Sequence, residues 1–150
     1  MVKRASGIDY AVMPLEGLWW TPDMAQFSLD DKDSWLWTML IMQPDHVTPE
    51  LVEAARTEVM RKKALPALDR LRLARYHEGL SVQTLYLGAY ADEGPTIAAM
   101  HRFISEERYT LNGKHHEIYL SDFRRTAPEK LKTVIRQPVA APAVARPART

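Results

Sequence analysis

The chain has 150 residues, with 20 Lys and Arg against 19 Asp and Glu, and it contains no cysteine. That length can bury one real core without staples, and the lack of thiols excludes disulfides, zinc-thiolate centres and cysteine nucleophiles. A formal charge of +1 excludes a general affinity for nucleic acid or for anionic membrane, and the longest apolar run, around Met39 to Met42, is far short of a membrane span. The start, Met-Val-Lys-Arg-Ala-Ser-Gly, carries no apolar export segment, so the default setting is the cytoplasm. Four Trp and seven Met suit either a core or an adaptable apolar binding site.

Ile8 to Leu15 reads as a first strand, and the chain then passes Gly17, where a bulge or strand end is expected, into Trp19-Trp20. Thr21 to Ser34 is a polar loop anchored by Met24, Phe27 and Leu29. Trp35 to Gln43 is nearly all apolar and stops at Pro44, which predicts a buried strand with Trp37, Met39 and Ile41 on one face. Thr48-Pro49-Glu50 opens a helix, with Thr48 as cap and Val47 placed to staple onto Val52. Leu51, Val52, Ala55 and Val59 form its stripe, and Arg61, Lys62 and Lys63 close it at the negative end of the dipole. Leu71, Leu73 and Tyr76 alternate with arginines as in a half-exposed strand.

Glu78-Gly79 is a turn, and Val82 to Leu87 is the returning strand. Pro95 starts a second helix with Ile97, Met100, Phe103 and Ile104 on its core face. Asn112-Gly113 reads as a turn before Lys114 to Asp122, a strand with an acid in its middle. Alternation puts His115, Glu117 and Tyr119 on one face and His116, Ile118 and Leu120 on the other, so a core under Ile118 and Leu120 would leave Glu117 facing elsewhere. A turn after Pro128 leads to a last strand at Thr133 to Gln137, and Val139 to Thr150 is an Ala, Pro and Arg tail unable to bury a core. Both Thr38 to Gln43-Pro44 and Thr133 to Gln137-Pro138 end a strand with Gln-Pro. That echo suggests an internal strand-helix-strand-strand repeat whose first copy begins with its second strand already under way.

Metal binding is not expected, because His115 and His116 diverge on a strand and His46, His77 and His101 lack ligand spacing. No nucleophile elbow and no phosphate loop occur, and no cofactor is expected. The remaining chemistry is a carboxylate among aromatics. Glu117 with Tyr119, Trp37 with Met39, and Trp19-Trp20 can wall a pocket for a flat or cationic molecule, or can simply pack a core. An acid desolvated among aromatic rings also suits a general base toward water.

Several stretches together resemble the GyrI-like small-molecule-binding domain family. They are Pro14 to Trp20, Ile41-Met42-Gln43-Pro44-Asp45, Asp92-Glu93-Gly94-Pro95-Thr96, Lys114 to Asp122 and Arg124 to Thr133, and the match runs from about Ile8 to Val139. The resemblance implies an α+β fold of tandem strand-helix-strand-strand modules forming an antiparallel sheet with helices on one face. The domain would span 1–139, with a first module at 8–44 that lacks its N-terminal strand and helix, a linking helix and strand at 48–77, a second module at 80–138, and a disordered tail at 140–150. It implies a site with Glu117 at the centre and Tyr119, Trp19, Trp20, Trp37, Met39, Tyr90 and His115 around it. Stand-alone members bind lipophilic, aromatic or cationic small molecules, as in toxin sequestration, and one branch hydrolyses cyclopropanoid alkylators, where Glu117 would activate water. A truncated interaction module is a third implied outcome, with a homodimer formed through the uncovered sheet. Ala89 and Phe123 stand where the family commonly has proline, which loosens loops without touching the site.

Overall fold

The computed structural model describes residues 6–22 and 31–142. The expected anchors Met24, Phe27 and Leu29, and the tail from 143 onward, lie outside those residues. The chain divides into two compact units, one from Met1–Met13 and Ile41–His77 and the other from Pro14–Leu40 and Glu78–Thr150.

The smaller unit is built on helix α1, Pro49–Lys62. Thr48 holds extended backbone and its side chain accepts the Leu51 N–H at 3.4 Å, a cap worth about 1 kcal/mol. Val47 beside it is buried, and the Tyr10 ring meets His46 edge-on at 5.1 Å. Pro66–Arg70 forms a 3-10 turn, and Arg56 reaches both Glu53 and Asp69. The expected strand at Leu71 to Tyr76 does not form, and Leu71, Leu73 and Tyr76 are all exposed. Alternation supplied its pattern, but no strand of the sheet pairs with it among the described residues.

The larger unit carries the sheet: β1 (Leu15–Trp20), β2 (Leu36–Ile41), β3 (Ser81–Leu87), β4 (Thr110–Leu111), β5 (His115–Tyr119) and β6 (Lys132–Ala140), with helix α2 (Gly94–Glu106) between β3 and β4. This is an α+β fold on a six-stranded antiparallel sheet, ordered β2-β1-β5-β6-β3, with β4 also pairing β6. From β3 onward the succession is β3, α2, β4, β5 and β6, so the two-residue strand β4 is added to the expected strand-helix-strand-strand order. β1 starts at Leu15 and not at Ile8, because its partner β5 offers ladder positions only from His115 to Tyr119. Gly17 lies inside the strand, with no strand end there.

Asn112-Gly113 does not reverse the chain. Thr110 and Leu111 pair with Ala140 and Val139, and His116 pairs with Arg136, all antiparallel to β6. From Leu111 to His116 is five steps against three from Val139 to Arg136, so the extra residues bulge outward and one edge of β6 carries both strands. Val139 and Ala140, read as tail, belong to β6, and Val139 is part of the core.

Cross-strand partners share a face. Glu117 pairs with Gly17 and Ile135, and Ile135 pairs with Thr84. The core lies on that face, where α2 sets Ile97, Met100 and Ile104 against Ile135 and Val139, with Val82, Tyr86 and Tyr109 packed around them. The sequence alternative, a core under Ile118 and Leu120, is corrected. Leu120 lies past the strand and is exposed, as is Phe103, which α2 turns away from the core. Nor is β2 a buried strand. Leu36, Trp37, Met39 and Ile41 are all exposed, because β2 terminates the sheet and has a neighbour on one side only.

The opposite face of the sheet carries a buried polar cluster. His116 is fully buried, with Nδ1 at 2.9 Å from Glu78 and Nε2 at 3.0 Å from Glu16. Arg136 donates to the second Glu78 oxygen at 2.8 Å and to Gln83 at 2.9 Å. Four segments meet there, from β1, β5, β6 and the turn before β3.

Candidate functional site

Strand β5 sets the site because its alternation puts His115, Glu117 and Tyr119 on one face, as the sequence predicts, and that face is the one α2 covers. Glu117 is only 4% exposed. A carboxylate placed so deep needs compensating polar neighbours, and two flank it on its own strand. His115, fully buried, brings Nε2 to 3.4 Å from Glu117 Oε1. Tyr119 supplies the other. Burial first, then the adjoining Glu117 carboxylate, which also accepts a hydrogen bond from it, push the Tyr119 phenol far above its ordinary value. It therefore remains a neutral donor.

From the neighbouring strand, Trp19 Nε1–H donates to the Tyr119 hydroxyl at 3.2 Å. A relay of donors thus runs from Trp19 through Tyr119 to Glu117. Gly17 makes room for it, because a Cβ there would lie 2.8 Å from Trp19 Nε1 and 2.9 Å from the Tyr119 hydroxyl. Behind Trp19 stands Trp35, ring centroids 5.7 Å apart.

Tyr90 closes the site from the segment before α2, its ring edge-on to Tyr119 at 5.4 Å. Its own phenol is pushed up by burial, then by Glu117 and Glu93. Three bonds fasten that segment to the sheet and into its turn. Gly88 N–H donates to Leu131 at 3.0 Å, Tyr86 OH to the Ala89 carbonyl at 3.0 Å and Asp92 N–H to the same carbonyl at 2.9 Å. Gly88 holds φ +146°, and a Cβ on it would lie 2.6 Å from the Tyr86 hydroxyl, so only glycine fits. Ala89 has φ −71°, the angle proline also holds, so alanine there leaves the chain path unchanged.

The structure therefore brings together Glu117, Tyr119, His115, Trp19 and Tyr90. It does not bring Trp20, which occupies the other face of β1 with Lys114 Nζ 3.2 Å over its ring. Trp37 and Met39 stand exposed on the terminal strand β2. Gly17, Trp35 and Glu93 belong near the site and were not singled out for it from the sequence. Only the cross-strand register, joining residues 100 positions apart, reveals Gly17. Among the described residues no group of three or more His, Asp or Glu is placed to hold a metal ion, and no helix is long and apolar enough to cross a membrane.

Chemically, a buried carboxylate ringed by aromatic faces can hold a cation by charge and by quadrupole. Next to a histidine, it can also take a proton from water.

Three solved structures from Listeria innocua resemble this chain. An uncharacterized conserved protein is 40% identical, with TM-score 0.80 over 93% of this chain and 73% of that one. One hydrolase is 41% identical, with TM-score 0.74 over 89% of this chain and 65% of its own. A second hydrolase is 38% identical, with TM-score 0.77 over 93% and 73%. The chain thus spans about two thirds to three quarters of these relatives. No curated protein matches at a significant level. Residues 2–140 match the GyrI-like small molecule binding domain, and the chain belongs to that family.

Proposed function

We propose that this domain binds lipophilic aromatic cations, with the ligand's charge against Glu117 and its rings against Tyr119, Tyr90 and Trp19. One observation carries the reading: a carboxylate 4% exposed is placed among aromatic rings, at a depth where charge attraction is far stronger than at a surface. His115 and Tyr119 position that carboxylate. Neutral ligands of the same shape gain only the ring contacts.

The test is equilibrium binding of a fluorescent lipophilic cation, followed by NMR on protein carrying ring-labelled tyrosine. Bound dye should show nuclear Overhauser contacts to the Tyr119 and Tyr90 rings. Contacts confined to other tyrosines would overturn the placement.

A second reading is hydrolysis of a strained electrophilic ring: Glu117 draws a proton from water as the water oxygen bonds to a ring carbon, the ring bond breaks with its electron pair passing to the substrate's electron-accepting group, and that group takes the proton back from Glu117. The two hydrolases among the similar structures favour it. A cyclopropane-bearing alkylator incubated with the protein should then gain the mass of one water. Recovery of the alkylator unchanged, with binding retained, would leave storage as the activity.

A further inference from the structure

His115 and Glu117 share one face of β5, with His115 Nε2 at 3.4 Å from Glu117 Oε1. Glu117 is 4% exposed and His115 only 1%, so water screens neither. Burial disfavours every form of such a pair that carries net charge. A carboxylate beside a neutral imidazole is negative overall. One added proton cancels that charge whichever group holds it, as an imidazolium beside a carboxylate or as a neutral acid beside an imidazole. Groups this close titrate as a pair and not as individuals.

The elements packed around the pair bring few competitors for that proton. Across the ladder His115 meets Trp19, and Glu117 meets Gly17 and Ile135, none of which titrates. The Tyr119 and Tyr90 phenols, pushed up by burial and then by Glu117, stay neutral donors. On α2, His101 lies on the side that carries Ile97 and Ile104 to the core. Burial first, then the charge on His115, hold its imidazole below the ordinary value, so it stays uncharged when His115 takes a proton. Glu93, 5% exposed at the start of α2, is the other carboxylate buried to that degree among the described residues.

We propose that the free site holds one proton shared between His115 and Glu117, and that an aromatic cation enters by displacing that proton to solvent. The cation replaces one positive charge by another, so the dry site stays neutral overall before and after binding. No bond of the ligand is made or broken. A neutral aromatic leaves the proton in place. Cation affinity therefore falls as pH falls, because the proton then competes for the same carboxylate, whereas neutral compounds bind alike across the range. This rests on the aromatic-cation reading above.

The test titrates ethidium, whose charge is permanent, and the neutral dye N-phenylnaphthylamine into the wild-type chain and His115→Gln. Wild-type affinity for ethidium should be about tenfold higher at pH 8 than at pH 5.5, the span in which a histidine gives up its proton. His115→Gln should reduce that ratio to less than about twofold, and the neutral dye should show no such ratio on either chain. Calorimetry of ethidium binding to the wild type near pH 6, in buffers of different ionisation enthalpy, should show release of close to one proton, a readout that needs no variant. Thermal unfolding shows that His115→Gln is folded. No proton release, or a ratio that survives in His115→Gln, would overturn the shared proton and leave the Glu117 reading standing. Failure of ethidium to bind the wild type at pH 8 would overturn both.

Discussion

His116→Leu should lower the unfolding free energy by about 3 kcal/mol and the melting temperature by roughly 10 °C. One imidazole ties two acids here, since His116 has Glu78 at 2.9 Å from Nδ1 and Glu16 at 3.0 Å from Nε2. Leucine fills similar volume but leaves Glu16 without the ring nitrogen it meets and leaves Glu78 with Arg136. The cost comes from those carboxylates, more than from the lost attraction. His116→Leu combined with Glu16→Leu should therefore recover part of the loss, since one of the two acids is then gone. Urea unfolding of the three variants measures this. A loss under about 1 kcal/mol for His116→Leu would mean that the cluster adjusts or hydrates, and that four segments of the sheet are not tied there.

Gly17→Ala should weaken binding of a lipophilic cation about tenfold, or roughly 1.4 kcal/mol, while costing about 1–3 kcal/mol of stability. The added methyl would sit 2.8 Å from Trp19 Nε1 and 2.9 Å from the Tyr119 hydroxyl. Both atoms belong to rigid rings joined by a hydrogen bond, so neither moves without moving the other away from Glu117. The backbone itself tolerates alanine, because Gly17 carries no positive φ. Titration of the same dye into wild type and variant decides the point. Undiminished affinity would show that the relay from Trp19 through Tyr119 to Glu117 does not shape the ligand site.

Local chemistry was readable from the sequence wherever neighbours in the chain decide the outcome. Thr48-Pro49 announces α1 because cap and first turn are adjacent, and the period of two on His115-His116-Glu117-Ile118-Tyr119 assigns Glu117 its companions. What alternation does not decide is which face meets the core. Here α2 settles that, and the polar residue His116 on the other face is buried by partners near residues 16, 78 and 136. The apolar run of β2 read as interior because composition is blind to sheet order, and a terminal strand looks like a central one. Trp20 and Trp37 entered the expected site as aromatics near the right segments, but register puts the one under Lys114 and sheet order leaves the other exposed. Glu93 carries no site signal in the sequence, because an acid before Gly-Pro reads as an ordinary helix start.

If the Glu117 charge selects the ligand, Glu117→Gln should discriminate within a matched pair of flat aromatics, one cationic and one neutral. Glutamine keeps the shape and the acceptor toward Tyr119 but removes the charge. The variant should lose ten- to a hundredfold in affinity for the cation, about 1.4–2.8 kcal/mol, and little for the neutral compound. Equal affinities of wild type and variant for the cation would contradict it.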